Sequence, residues 1–236
     1  MDIDLTTGWK RTPGLSVGIL RMNSVENSAA SAALDASCRE LEAELRTQYA
    51  GFDRSKLRQL PRLKAYHTYY KRFRKSYHVQ LQLESIALKG RTILSPSPLV
   101  QAMFMAELKN HLLTSGHDLD IVRPPLAIAV ADGSENYQRL NYQNQDLKSG
   151  DLYIRDGEEI LSSIIYGPDF RTRIQPHTIR VLYTVYGVPG IDPGDVENHL
   201  EYLQDTVLGF TPSAEVEQLA VFQSGQELQK TSSGKG

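Results

Sequence analysis

The run Ser97–Leu113, SPLVQAMFMAELKNHLL, is the most apolar helical pattern in the chain, and it divides the sequence into two unlike halves. Pro96 and Pro98 open it, where a fixed φ suits a first helical turn, and Thr114, Ser115 and Gly116 are expected to close it. It is expected to be the central core helix. Downstream the period changes. Leu126–Ala131, Asp151–Arg155, Glu159–Tyr166 and Ile174–Tyr186 are short aliphatic or β-branched runs, separated by the turn signals DGSEN, KSGD, RDGEE, YGPD and GVPGIDPGD. That rhythm predicts a mostly antiparallel sheet.

Upstream, LSVGILRM (Leu15–Met22) reads as a buried strand. From Ser28 to Tyr49 apolar residues recur at helical spacing until Gly51, and Pro61 opens a further helix through Tyr66, Tyr70 and Phe73. Val196–Leu208 returns to helical spacing. The expected fold class is α+β, with helices concentrated in the N-terminal half and packed on a sheet from the C-terminal half. One domain is expected over residues 1–222, comprising an N-terminal strand and helix (1–60), a core (61–191) and a C-terminal helix (192–222), with a disordered tail over 223–236.

Composition narrows the function classes. The chain has 236 residues, 40% apolar and 23% charged, enough for one substantial core. No run reaches the roughly 18 to 20 apolar residues of a membrane span, and MDIDLTTGWKRTPG has no signal-peptide pattern, so the cytoplasm is the expected address and no membrane partner is expected. The single cysteine, Cys38, lies in a helical pattern and reads as a packed residue. The net charge of −2 conceals a segregation. Nine basic residues and no acid lie between Arg54 and Lys75, whereas Asp192 to Glu227 holds eight acids and no Lys or Arg. Apart in space, these segments give one positive and one negative face, and a positive face suits phosphates.

No nucleotide-binding, zinc-protease, nucleophile-elbow or calcium-loop motif is present, and no metal or cofactor is expected. Three places remain. LPRLKAYHTYYKRFRKSYHVQLQ joins cations (Lys71, Arg72, Arg74, Lys75) to Tyr and Phe, which either stack on bases or fill the core. His117 and Asp118, in LLTSGHDLD, are expected in a turn just past the core helix; they either face a cleft or cap local backbone. A metal phosphohydrolase reading with His67, His111 and Asp169 is disfavoured because strands follow at once. In IIYGPDFRTRI, Gly167 and Pro168 impose a turn and Asp169 can bond amides across it. Arg171 and Arg173 alternate, so they form either an anion site or ion pairs with Asp169. Glu84 and Glu107 read as hydrogen-bonded structural groups.

In order, YYKRF, QLESIALKGR, LVQAMFMAELKNHLLTSGHDLD, GSENYQRLNYQNQDLKSGDLYIRDGEEILSSIIYGPDFRTRI and VLYTVYGVPGI resemble the freestanding branch of the B3/B4 domain over roughly Pro61 to Ile191. This is the tRNA-editing domain of the phenylalanyl-tRNA synthetase beta subunit. The resemblance implies a single B3/B4-like α+β domain that receives the aminoacylated 3′ end of tRNA and hydrolyses the ester of a mismatched amino acid with a positioned water. It implies His117 and Thr178 as catalytic groups, and Asp118, Gly167, Asp169 and Thr184 around the amino acid. Arg171, Arg173, Lys71, Arg72, Arg74 and Lys75 would meet RNA phosphates. A tyrosine-selecting glutamate near the place of Thr184 is absent from VLYTVYG, so tyrosine specificity does not carry over. Lacking a region for an aminoacylation core, the chain is expected to act in trans on tRNA, with no DNA partner. The alternative is a non-catalytic RNA-binding or amino-acid-sensing module of the same fold.

Overall fold

The computed structural model describes residues 3–225 except Ala29 and Pro96. Its elements are β1 (Ile3–Leu5), α1 (Thr7–Arg11), β2 (Ser16–Asn23), α2 (Ala32–Gln48), α3 (Arg54–Arg58), α4 (Pro61–Arg72) and α5 (His78–Leu83), which runs into a π-helical turn over Glu84–Leu88. There follow α6 (Pro98–Asn110), β3 (Leu113–Asp118), β4 (Leu126–Val130), β5 (Asn136–Gln138), β6 (Asn144–Asp146), β7 (Leu152–Arg155), β8 (Ile160–Ser163), β9 (Gly167–Pro168), β10 (Val181–Gly187), α7 (Pro193–Phe210) and β11 (Glu215–Gln223). The class is α+β, as the patterning predicts. No helix among the described residues is long and apolar enough to cross a membrane.

The strands form two larger sheets, ordered β1-β4-β7-β8-β9 and β11-β2-β10-β3, and a small β5-β6 hairpin. Every pair is antiparallel except β1 with β4. The N-terminal strand β2 thus lies between β10 and β11 and is part of the core. Helix α7 packs on β2, and Gly18 makes that approach possible: a Cβ there would lie 2.7 Å from Val196 Cγ1 and 2.9 Å from Leu200 Cδ1. Gly18→Ala is expected to cost about 1–3 kcal/mol in urea unfolding, because the added methyl overpacks the helix–sheet seam.

Three expectations are corrected. The core helix does not run to Leu113. His111 adopts a left-handed conformation (φ 59°), its N–H donates to Glu107 O at 2.7 Å, and Tyr49 and Tyr77 hydroxyls lie 3.1 Å from its Nε2 and carbonyl oxygen. Thus pinned, the chain leaves α6 early and Leu113–Asp118 becomes a wholly buried strand, so His117 and Asp118 lie in the sheet and not in an exit turn. Second, Ile174–Arg180 is irregular, and only Val181–Gly187 of the expected last run is strand. Third, the C-terminal piece contains β11 beyond its helix. β11 continues through Gln223, where a tail was expected, and Ser224 Oγ accepts from Leu15 N–H at 2.9 Å. The remainder of the expected tail, 226–236, and the opening Pro96 lie outside the described residues.

The tyrosines of α4 resolve in favour of core packing. Tyr66, Tyr69, Tyr70 and Phe73 are all buried. Tyr66 OH donates to Tyr186 O, Tyr70 OH donates to Ile164 O at 2.7 Å, and Tyr69 OH accepts from Leu152 N–H at 2.9 Å. These hydroxyls satisfy backbone groups of both sheets, so the helix is fastened by its aromatics while Lys64, Lys71 and Arg72 stay in water.

Candidate functional site

The exit of α6 and the Gly167–Arg173 turn do converge. His117 bridges to Arg173, and Asp118 N–H donates to Thr172 O at 2.7 Å. What fills their junction is a hydrogen-bonded network. His117 is 0% exposed; its Nδ1 lies 2.8 Å from Thr172 Oγ1, and its Nε2 lies 3.0 Å from Ser115 Oγ and 3.2 Å from Ser162 Oγ. The Thr172 hydroxyl donates to Asp169 Oδ1, so Thr172 Oγ1 is left to accept from His117, which assigns the Nδ1–H tautomer. Nε2 then offers its single lone pair, shared between the Ser115 and Ser162 hydroxyls. Asp169 Oδ2 also accepts from Thr172 N–H at 3.0 Å, the amide bond across the turn that the sequence suggests.

Serine, histidine and aspartate here stand in the order of a nucleophilic triad, with His117 Nδ1 3.6 Å from Asp169 Oδ1. Ser115, Ser162, His117, Thr172 and Asp169 are all buried, and their polar atoms are turned on one another. A second closed set lies beside the first. Asp118 Oδ2 accepts from Thr178 Oγ1 at 2.7 Å, Thr178 Oγ1 accepts from Gln175 N–H at 2.9 Å, and Asp118 Oδ1 accepts from Asp120 N–H at 3.1 Å. Thr178 therefore sits in the irregular segment before β10, where it ties that segment to β3. Thr184 is buried on β10 opposite Ser115, and its hydroxyl has no hydrogen-bond partner among the described residues. Gly167 is half-buried at φ +79°, and its carbonyl accepts from Tyr137 OH at 2.6 Å.

Four cavities, of about 860, 690, 410 and 280 Å³, have linings that include none of His117, Asp118, Gly167, Asp169, Thr178 and Thr184. The largest lies over β7 and β8 beside the β5-β6 hairpin, and its lining includes Glu135, Tyr137, Arg155, Glu158, Glu159 and Arg171. Arg171 is committed to carboxylates, though not to Asp169. It pairs with Asp156 at 2.7 Å, Glu158 at 3.5 Å and Glu159 at 3.6 Å, and donates to Ile121 O at 3.1 Å. Burial alone would raise the Asp156 carboxyl; Arg171 and three backbone N–H groups outweigh it and hold that pKa below its ordinary value. The alternation of Arg171 with Arg173 is broken because the chain turns at Phe170–Arg173 instead of resuming a strand. Arg173 points elsewhere: its guanidinium lies 3.7 Å from the Phe170 ring centroid and donates to Phe170 O at 2.7 Å.

The basic segment divides in the same way. Arg54 pairs with Glu84 at 3.2 Å and Arg62 with Asp195 at 2.6 Å. Lys71, Arg72, Arg74 and Lys75 are exposed and form no ion pair among the described residues. The Arg72 guanidinium lies 5.0 Å from the Tyr69 ring centroid, and the Lys75 ammonium lies 5.8 Å from that of Tyr166. Arg139 Nε in turn donates to Tyr166 O at 3.0 Å. Lys75, just beyond the end of α4, thus lies near Tyr166, the residue before the Gly167–Arg173 turn, whose carbonyl oxygen also accepts from Arg139 of the β5-β6 connection. Arg139 carries no motif in the sequence; only the fold brings it here.

Among the described residues no three of His, Cys, Asp and Glu are grouped to hold a metal ion. Cys38 is buried, and burial raises its thiol pKa, as a packed residue requires. Glu107 accepts from Thr114 N–H at 2.9 Å through Oε1, while Oε2 has no partner. Burial pushes its pKa up from 4.5 to about 8, only partly opposed by the Thr114 N–H. The unfolded chain ionises Glu107 above pH 4.5, whereas the folded chain resists until about 8, so stability is full below 4.5 and falls as pH rises through that window. Asp151, pushed up to about 7 by burial, adds the same sign. In urea unfolding from pH 5 to 8, Glu107→Gln is expected to abolish on the order of 2 kcal/mol of this decline and leave the Asp151 share.

Comparison with known proteins bears on the fold alone. No protein-family model matches the sequence, and no curated protein matches it. An N-terminal fragment of the phenylalanyl-tRNA synthetase beta subunit from Pyrococcus horikoshii superposes with a TM-score of 0.50 and 12% identity over 91% of this chain. The two folds are similar. This chain spans 50% of that fragment.

Proposed function

We propose that this protein binds tRNA at the face formed by the end of α4, the β5-β6 hairpin and the Gly167–Arg173 turn, and that the aminoacylated 3′ end is its target. The observation that carries this reading is the set Lys71, Arg72, Arg74 and Lys75, four exposed cations that make no ion pair among the described residues. Phosphates are the natural counter-charge for such a set. Its setting, a fold similar to part of a tRNA synthetase subunit, favours tRNA among nucleic acids. Work in the cytoplasm follows from the same ligand.

Recognition without ester hydrolysis is the form of this reading that the sealed network favours. A water-positioning group has to reach the reacting ester, and His117 and Thr178 are spent on internal partners. An amino-acid moiety is assigned to the 860 Å³ cavity, where Glu158 and Glu159 can meet an α-ammonium in place of the buried Asp118 and Asp169. Mixing the full chain with mischarged tRNA at about 50 mM salt tests both parts. A saturable complex with ester decay at the uncatalysed rate is expected. The absence of a complex contradicts the binding, and accelerated ester loss contradicts the non-hydrolytic form.

A further inference from the structure

The turn joining β5 to β6 carries a largely exposed aromatic side chain. Tyr142 is 65% exposed and sits in the left-handed region at φ 63°, a conformation that disfavours a bulky side chain. The turn is closed by Tyr142 N–H donating to Arg139 O at 2.9 Å and by Arg139 N–H donating to Gln143 O at 3.0 Å. It holds the Tyr142 ring centroid 4.1 Å from that of Phe170, whose ring also carries the Arg173 guanidinium at 3.7 Å. Arg173, like Arg139, makes no ion pair among the described residues. The tyrosines of α4 are buried; this one is exposed, beside the Phe170 ring that carries Arg173.

We propose that the exposed Tyr142 ring, backed by Phe170 and Arg173, is a stacking site for an unpaired base of RNA. The proposal rests on the tRNA reading above and names the part of the ligand that this patch takes. An aromatic face accepts any base, a guanidinium adds cation–π attraction, and flanking cations hold the backbone. One cation past the end of α4 connects to this patch: Lys75 lies 5.8 Å from the Tyr166 ring centroid, Tyr166 O accepts from Arg139, and Phe170 N–H donates to Gln138 O of β5 at 2.9 Å. A protein-docking patch would need a broader apolar surround; here the exposed apolar neighbour is Leu140 alone among the large side chains described.

The test titrates the full chain with deacylated tRNA and with a blunt RNA duplex. Tyr142→Ala is expected to weaken tRNA binding about 5- to 100-fold, with the salt dependence unchanged and the duplex little affected. Tyr142→Phe is expected to restore wild-type affinity, since the ring and not the hydroxyl stacks. Equal affinity of Tyr142→Ala and wild type for tRNA overturns the stacking site while leaving tRNA binding in place, and so does an equal loss for tRNA and duplex. Failure of the wild-type chain to bind tRNA overturns both readings.

Discussion

Replacing His117 with Ala is expected to lower the free energy of unfolding by about 3–5 kcal/mol, read as a fall in the urea midpoint with little change in slope. The size follows from what the ring satisfies. It donates to Thr172, itself held by Asp169, and accepts from Ser115 and Ser162, all without access to water. Deleting it orphans the Ser115 hydroxyl, takes one of two partners from Thr172 and Ser162, and leaves a cavity between β3 and the Gly167–Arg173 turn; a buried orphan costs about 1–3 kcal/mol and a core truncation about 2–5 kcal/mol. Ser162 extends the damage, since its hydroxyl also lies 2.5 Å from Tyr186 OH on β10. A variant as stable as wild type that has lost a hydrolytic activity would contradict this assignment and make His117 a catalytic group.

That assignment shows where the sequence was readable and where it was not. Elements whose pattern is a matter of local periodicity, β2, α2, α4 and α7, are legible because their buried stripes recur at strand or helix spacing. The end of α6 is not legible, because it depends on Tyr49 and Tyr77 gripping His111 from distant parts of the chain. With the helix read too long, His117 falls in a turn that does not exist. β11 escapes because EVEQLAVFQ pairs an acidic half with a continuous apolar half, and a register shift between Val216 and Gln218 spoils its alternation. For the candidate site, residue types are legible and partners are not. The GHD and DFRTR pieces do meet, yet whether they enclose a hollow or a network depends on which groups Ser115, Ser162 and Thr172 bond, and that the residue types do not state. Arg171 looks free until the fold brings Asp156 and Glu159 beside it. Tyr142 carries only one cue, its place among polar residues in RLNYQNQ.

Replacing Lys71, Arg72, Arg74 and Lys75 together with Gln is expected to weaken tRNA binding about 10²- to 10³-fold near 0.1 M salt. Each phosphate contact contributes about 0.7–0.9 of a decade per decade of salt, so four contacts amount to roughly three decades at that concentration. Gln keeps most of each side-chain stem, and no ion pair among the described residues is broken, so folding is expected to survive with a loss under about 1 kcal/mol from the contacts of Arg72 with Tyr69 and Lys75 with Tyr166. Arg171→Gln is the matched control. Its charge already faces Asp156, Glu158 and Glu159, so it is expected to lower stability more than tRNA affinity. The decisive measurement is the slope of log Kd for deacylated tRNA against log salt concentration, for wild type and the fourfold Gln variant. A slope about three units shallower in the variant is the result predicted for cations that sit on phosphates. Equal slopes in the two proteins would contradict it and remove the end of α4 from the RNA-binding face.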